Sequence, residues 1–287
     1  MNSVKVGLVQ TSCVEDKEVN LVNAVVQIEK LAAQGAKIIC LQELFASLYF
    51  CQTEDCKQFS LSEPVKGPTV ERLQKVAQKN QVVLIVPFFE KRTEGIYHNS
   101  SVVIDADGSV LDLYRKMHIP DDPNFYEKFY FTPGDLGFRA VQTRYAKIGV
   151  LICWDQWFPE AARMTALQGA HILFYPTAIG WHPKEKEEIK KQQHDAWRTI
   201  QRAHAIANEV FVVSANRVGR EGDLDFWGQS FIAGPFGQIL AEASSTEPEN
   251  LIVDCDLSEV EKIRQAWPFL RDRRIDAFKG LKSRFID

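Results

Sequence analysis

Short apolar, β-branched runs recur along most of this chain, and they constrain its fold more than any other feature. VKVGLVQ (4–10), AKIICLQE (36–43), VVLIVPF (82–88), KIGVLICWD (147–155) and HILFYPT (171–177) lack helical periodicity and suit buried strands. Between the first two, Leu21, Val25, Ile28 and Leu31 recur at helical spacing, as do Val70, Leu73 and Val76 within PTVERLQKVAQKN (68–80). SSVVIDA (100–106) and SVLDLYRK (109–116) flank Asp107 and Gly108, so they read as a hairpin that delivers Lys116 at its end.

Pro159 suits the first turn of a helix over 159–170, and Ile189, Trp197, Ile200, Ala203 and Ala207 mark one face of a later long helix. FVVSANR, GQSFIAGPFG, QILAEA and LIVDCDL read as four more short strands, with a turn at Gly234, Pro235, Phe236 and Gly237. Strands outnumber what one parallel sheet with alternating helices needs. The pattern therefore predicts an α/β chain with a mixed sheet or two stacked sheets and helices outside.

No Ser/Gly/Pro-rich or like-charged linker interrupts the chain between Val4 and Asp256, which predicts one domain over 1–287, ending in a C-terminal extension from about 257 to 287. A net charge of −4 offers no broad attraction for phosphate backbones or anionic lipid, so nucleic acid and membrane are poor partners and a small molecule is the better one. The N-terminal apolar run is too short for a signal-peptide core or a spanning helix, and the expected location is the cytoplasm. Six cysteines are sparse in a chain of 287 residues, and only Cys51 and Cys56 lie close together, so no zinc set is predicted.

GxGxxG after the first strand, a phosphate-binding P-loop, HExxH and GxSxG are all missing. What remains is a set of polar residues placed where apolar strands end, the position at which α/β sheets present reactive groups. Cys153 follows IGVLI and precedes WDQWFPE, where a helix start and a nearby cation would favour thiolate. Lys116, in YRKMHIP, can be that cation and can later stabilise an oxyanion. Glu43, in LQELF, closes an apolar run and is the candidate general base. Taken singly, each has a bland alternative as a core thiol, an exposed hairpin charge or a solvated strand end.

Together, in this order and these flanks, the three residues resemble the nitrilase superfamily and its Glu-Lys-Cys triad. The resemblance runs from VGLVQ through QELF, YRKMHIP, EKFYFTPGD, GVLICWDQWFPE, YPTAIG, ANRVG and SFIAGPFG, nearly the whole chain. It implies a base at Glu43, a lysine at Lys116, a nucleophile at Cys153 and a second acid at Glu127. The backbone N–H of Trp154 matches an oxyanion donor. The resemblance also implies a four-layer αββα sandwich, no metal or organic cofactor, and a homodimer or higher homo-oligomer in which the C-terminal stretch packs on a partner subunit.

LFASLYFCQ, DQWFPEAAR, PTAIG and SFIAGP are similar to the branch that hydrolyses N-carbamoylputrescine in polyamine synthesis. Tyr49, Tyr130, Trp157 and His182 are the candidate substrate contacts, since aromatic rings pack an alkyl diamine and attract its ammonium. This chain reads IGWHPKE where plant-type relatives carry an acid soon after YPTAIG, so Glu185 is the compensating candidate. The competing expectations are an amidase for another carbamoyl or ω-amide substrate, such as N-carbamoyl-β-alanine, and a catalytically silent binding protein.

Overall fold

The computed structural model describes residues 3–286. Ser3–Gln10 (β1), Ile38–Cys40 (β2), Val83–Thr93 (β3), Ile96–Ile104 (β4), Val110–Arg115 (β5) and Glu249–Asp256 (β15) form a six-stranded sheet in the order β15-β1-β2-β3-β4-β5. Ala140–Gln142 (β6), Lys147–Val150 (β7), Ile172–Pro176 (β8), Phe211–Ala215 (β10), Phe231–Ala233 (β13) and Ile239–Glu242 (β14) form a second, ordered β14-β13-β10-β8-β7-β6. A small third sheet joins Gly180–Trp181 (β9), Val218–Glu221 (β11) and Leu224–Trp227 (β12). Each large sheet has a parallel centre, β1-β2-β3 in one and β7-β8-β10 in the other, with antiparallel strands at its edges.

Alternation along the strands explains the layering, because successive side chains point to opposite faces. Val6, Leu8, Ile38, Cys40, Val83 and Ile85 meet Ile148, Val150, Phe174 and Val213 of the second sheet in one core. Val9, Ile39, Leu41 and Leu84 face the other way, onto Leu21, Ile28 and Leu31 of helix α1 (Lys17–Ala33) and Leu73 and Val76 of α2 (Pro68–Asn80). Glu127–Tyr130 (α3) is a single turn, and the second sheet is covered outside by α4 (Pro159–Ala166) and α5 (Glu187–Asn208). The result is the αββα sandwich. Each fully buried Leu, Ile, Val or Phe side chain contributes about 1.5–3 kcal/mol to it.

Local signals set several boundaries. The Asp16 carboxylate accepts from the Glu18 and Val19 N–H groups and starts α1, while Pro68 opens α2 over the span its periodicity predicts. Two expectations need correction. The strand over 36–43 is only Ile38–Cys40, because the Gln42 side chain replaces the ladder, accepting from Thr11 N–H at 2.7 Å and donating to Thr11 O at 2.8 Å. The buried face of α5 is Trp197, Gln201, His204, Ala205 and Asn208, whereas Ile189 is exposed. Two residues of that face dock on Gln156: Trp197 Nε1 donates to Gln156 Oε1 (2.9 Å), and His204 Nε2 lies 2.7 Å from Gln156 O.

Strand direction brings the chemistry together. In the first sheet β5 runs the same way as β2, since β3-β4 and β4-β5 are both antiparallel. Glu43 and Lys116 therefore leave the same edge, and Cys153 follows β7 of the facing sheet.

Candidate active site

Lys116, Glu43 and Glu127 are fully buried. Lys116 Nζ donates to Glu43 Oε1 at 2.8 Å and to Glu127 Oε2 at 2.7 Å, bridging the two carboxylates. Asn99, which pairs with the Lys116 backbone at the sheet edge, donates its Nδ2 to the same Glu43 oxygen at 2.7 Å. Glu43 Oε2 is left buried with no hydrogen-bond partner among the described residues. A carboxylate oxygen with its lone pairs unused is equipped to accept a proton.

Cys153 opens a five-residue 3₁₀ turn, Cys153–Trp157, with φ of 43°, a left-handed conformation that costs a non-glycine residue about 1–3 kcal/mol. Asp155 stabilises the turn. Its buried carboxylate accepts from Ile152 N–H (2.9 Å), Tyr114 OH (2.7 Å) and His118 N–H (3.0 Å), with His118 Nδ1 at 2.7 Å. One side chain thus ties the cysteine turn to the residues on either side of Lys116.

Burial pushes the Cys153 thiol well above its usual range, and the nearby Glu43 charge adds to this while Lys116 opposes it. This runs against the expectation of a thiolate favoured by a helix start and a cation: the turn is short, and burial with the Glu43 and Glu127 charges outweighs Lys116. Burial also acts against the charge on Lys116, but Glu127 and Glu43 outweigh it and hold the ammonium well above its ordinary value. Glu127 is pushed up to about 7 by burial, with Lys116 pulling it down and Glu43 pushing it up.

A cavity of about 590 Å³, within the size range of small-molecule sites, has Cys153 and Glu127 in its lining. Trp154, Trp157, Phe125, Leu224 and Trp227 supply apolar wall, and Trp154 and Trp157 meet edge to face at 6.3 Å. Asp122, His182 and Glu185 also line it, and no lysine or arginine does among the described residues. Glu185 is held by Gln193 Nε2 (2.9 Å) and by His182 N–H (3.3 Å).

Of the substrate contacts expected from sequence, Trp154, Trp157 and His182 line this cavity, while Tyr49 and Tyr130 do not. Tyr49 is buried and donates its hydroxyl to Glu127 Oε1 at 2.8 Å, so it orients the acid. Tyr130 belongs to a cluster with Phe50, Phe59, Phe89 and Phe131, and its hydroxyl is bonded to Thr53 O and to Asp55 N–H. Sequence reasoning had marked both tyrosines as aromatic without a way to see which wall they belong to. It missed Asn99, Asp122, Phe125, Leu224 and Trp227. Asn99 had one available signal, a position opposite Lys116 in the hairpin. Trp227 had none, because the small third sheet carries it.

Fold and cavity define an α/β enzyme built for a small amide-type molecule. The chain belongs to the carbon-nitrogen hydrolase family, whose sequence profile matches residues 5–265. It is 47% identical to N-carbamoylputrescine amidase of Arabidopsis thaliana, with 97% of this chain and 95% of that protein covered. It is 40% identical to citrullinase of Francisella tularensis, covering 99% of this chain and 100% of that one. The crystal structure of a carbon-nitrogen hydrolase from Helicobacter pylori G27 matches with a TM-score of 0.96 at 46% identity, over 99% of this chain and 100% of that chain. The expected resemblance and the layered fold are both borne out.

Proposed function

We propose that the protein hydrolyses N-carbamoylputrescine to putrescine, carbon dioxide and ammonia, with Cys153 as nucleophile. Glu43 Oε2 takes the thiol proton as sulfur attacks the ureido carbon. Lys116 and the backbone N–H of Trp154 stabilise the oxyanion, the latter because the first N–H groups of a helical turn lack intrahelical acceptors. Collapse breaks the bond to the putrescine nitrogen, which receives the proton from Glu43 and leaves as amine. The remaining carbamoyl thioester is attacked by water that gives a proton to Glu43; as the C–S bond breaks that proton returns to the Cys153 sulfur, and the released carbamic acid decomposes to carbon dioxide and ammonia. Glu127, held by Tyr49, keeps the ammonium of Lys116 in line.

The observation that carries the substrate assignment is the charge of the cavity. Its lining offers the carboxylates of Asp122 and Glu185 and, among the described residues, no lysine or arginine, which suits a distal ammonium and disfavours a distal carboxylate. Trp154, Trp157, Phe125 and Trp227 supply wall for the butyl chain. The names of the relatives at 46–47% identity support the same reading.

A second reading, hydrolysis of citrulline, is favoured by the full-length similarity to the Francisella protein. Ammonia release measured with N-carbamoylputrescine, citrulline, N-carbamoyl-β-alanine and a simple ω-amide decides between them. The charge argument expects kcat/KM for N-carbamoylputrescine to exceed the carboxylate-bearing substrates by about 10²-fold or more. Preference for a carboxylate-bearing substrate would overturn it, and no ammonia from any of the four would favour the binding-protein alternative.

We read the protein as one cytoplasmic domain that assembles into a homodimer or larger homo-oligomer. Among the described residues no helix is long and apolar enough to cross a membrane. The C-terminal stretch exposes Trp267, Ile275, Leu281, Phe285 and Ile286, an apolar surface that supports packing on a second copy. Sedimentation velocity of Leu281→Asp/Phe285→Asp beside the parent chain tests this, since an unchanged mass would remove the tail from the interface.

A further inference from the structure

We propose that Arg217, paired with Glu221, is a positioning residue for hydrolysis: it fixes the backbone turn that carries Glu43 and, through Tyr49, the carboxylate of Glu127. The inference rests on the reading of Glu43 as the base and concerns how that base is held.

Arg217 is fully buried, just ahead of β11 in the small third sheet. Its Nη2 donates to Glu43 O at 2.8 Å and Leu44 O at 3.1 Å, and its Nη1 to both Glu221 oxygens at 2.9 Å and to Ser47 O at 3.4 Å. Three carbonyls of the turn after β2 thus end on one guanidinium. That turn has left its strand at Cys40, and Leu44 takes φ of 49°, so it has neither a ladder nor a relaxed backbone to hold it.

The other end of the pair reaches the second carboxylate. Glu221 Oε2 accepts from Tyr49 N–H at 2.6 Å, and Tyr49 OH donates to Glu127 at 2.8 Å. The guanidinium also lies 5.8 Å from the Tyr49 ring centre and 5.2 Å from that of Phe226, which fixes the tyrosine from its face. Both carboxylates that grip Lys116 are therefore referenced to one buried cation on a different sheet.

A buried ion pair is weak evidence for stability by itself, since apolar residues often fill the same space at no loss. The bonding pattern separates this pair from an ordinary one. Arg115, also buried, bonds only carboxylates, those of Glu90 and Asp135, whereas most Arg217 contacts are turn carbonyls beside Glu43. Only a planar fork reaches two carbonyls and a carboxylate at once, so lysine cannot substitute.

The test compares Arg217→Lys and the double variant Arg217→Met/Glu221→Leu with the parent enzyme, using N-carbamoylputrescine, or the best substrate of the four-compound panel, and cooperative thermal melts. The double variant removes both charges together, so neither is left unpaired. The expected result is a kcat lowered about 10²-fold, the loss that a misplacement near 1 Å produces, with KM changed less than about threefold and melts still cooperative at assay temperature. Guanidinium-like geometry should matter more than charge, so Arg217→Lys should fall with the double variant. Parent-level kcat in either folded variant overturns the proposal, as does a loss that merely follows the unfolded fraction. Glu43→Gln, assayed in parallel, guards the underlying reading: if it keeps parent activity the base assignment fails, whereas an inactive Glu43→Gln beside active Arg217 variants sinks only the positioning role.

Discussion

Lys116 Nζ and Glu43 Oε1 stand 2.8 Å apart although 73 residues separate them in the chain, and both side chains are completely buried. Two charges taken out of water are tolerable only with good geometry and every remaining group occupied. Glu127 and Asn99 supply much of that geometry; Glu43 Oε2 and Asn99 Oδ1 stay without a hydrogen-bond partner among the described residues, and the former is the oxygen the proposed chemistry uses.

Replacing Lys116 by Met leaves two buried carboxylates facing each other without a cation. Urea unfolding should show a loss of about 3–5 kcal/mol, and ammonia release should vanish. A variant as stable as the parent would mean that the ammonium is not the partner of these acids.

The pH dependence follows from Glu127. Its folded value of about 7 lies above the ordinary 4.5, so between those values the folded state holds a proton that the unfolded state has lost. The contribution of this group is fully present below pH 4.5 and is lost as pH rises through 7. The difference in unfolding free energy between the parent and Glu127→Gln should shift against the parent from pH 5 to pH 8, by at most about 1.4 kcal/mol per pH unit. Protonating Glu127 also weakens its hold on Lys116, so kcat/KM should drop on the acid side of pH 7. A flat profile from pH 5 to 8 contradicts both.

Burial and the Glu43 charge hold the Cys153 thiol well above its usual range. Alkylation by iodoacetamide, followed by mass spectrometry of the Cys153 peptide, should be slow at pH 7 and accelerate only above pH 9. Rapid modification at neutral pH would show that Lys116 wins over burial and Glu43.

Glu185→Gln and Asp122→Asn should each raise KM for N-carbamoylputrescine about 5- to 10-fold and leave kcat nearly unchanged, since a distal ion pair binds ground and transition states alike. A simple ω-amide without an ammonium should show no such penalty. Equal effects on both substrates would remove these acids from specificity.

Gly134 packs against the backbone that leads into Lys116. A Cβ built there falls 2.1 Å from Arg115 O, and the Gly134 N–H donates to Lys116 O at 2.8 Å. Gly134→Ala must shift that backbone, so thermal melts should show about 1–3 kcal/mol of destabilisation and kcat should fall with it. A silent substitution would indicate that the Lys116 loop has slack.

The strands and helices were legible where side-chain period and end signals agreed. Periodicity and Pro68 located α2 over 68–80, and Asp107 with Gly108 located the β4-β5 turn. On α5 the same reasoning holds for Trp197, but Gln201, His204, Ala205 and Asn208 complete the buried face while Ile189 is exposed. Trp197 and His204 meet Gln156 there, a partner elsewhere in the chain, and no local period carries that information.

The site divides in the same way. Position at the ends of apolar runs marked Glu43, Lys116 and Cys153 as candidates, whereas Glu127 entered only through the family resemblance. Which of them touch, which way burial and neighbours push Lys116, Glu127 and Cys153, and that Tyr49 serves the acid while Tyr130 belongs to another cluster were decided by the packing of two sheets. Desolvation and hydrogen-bond geometry depend on what lies across the interface, and that exists only once the chain has folded.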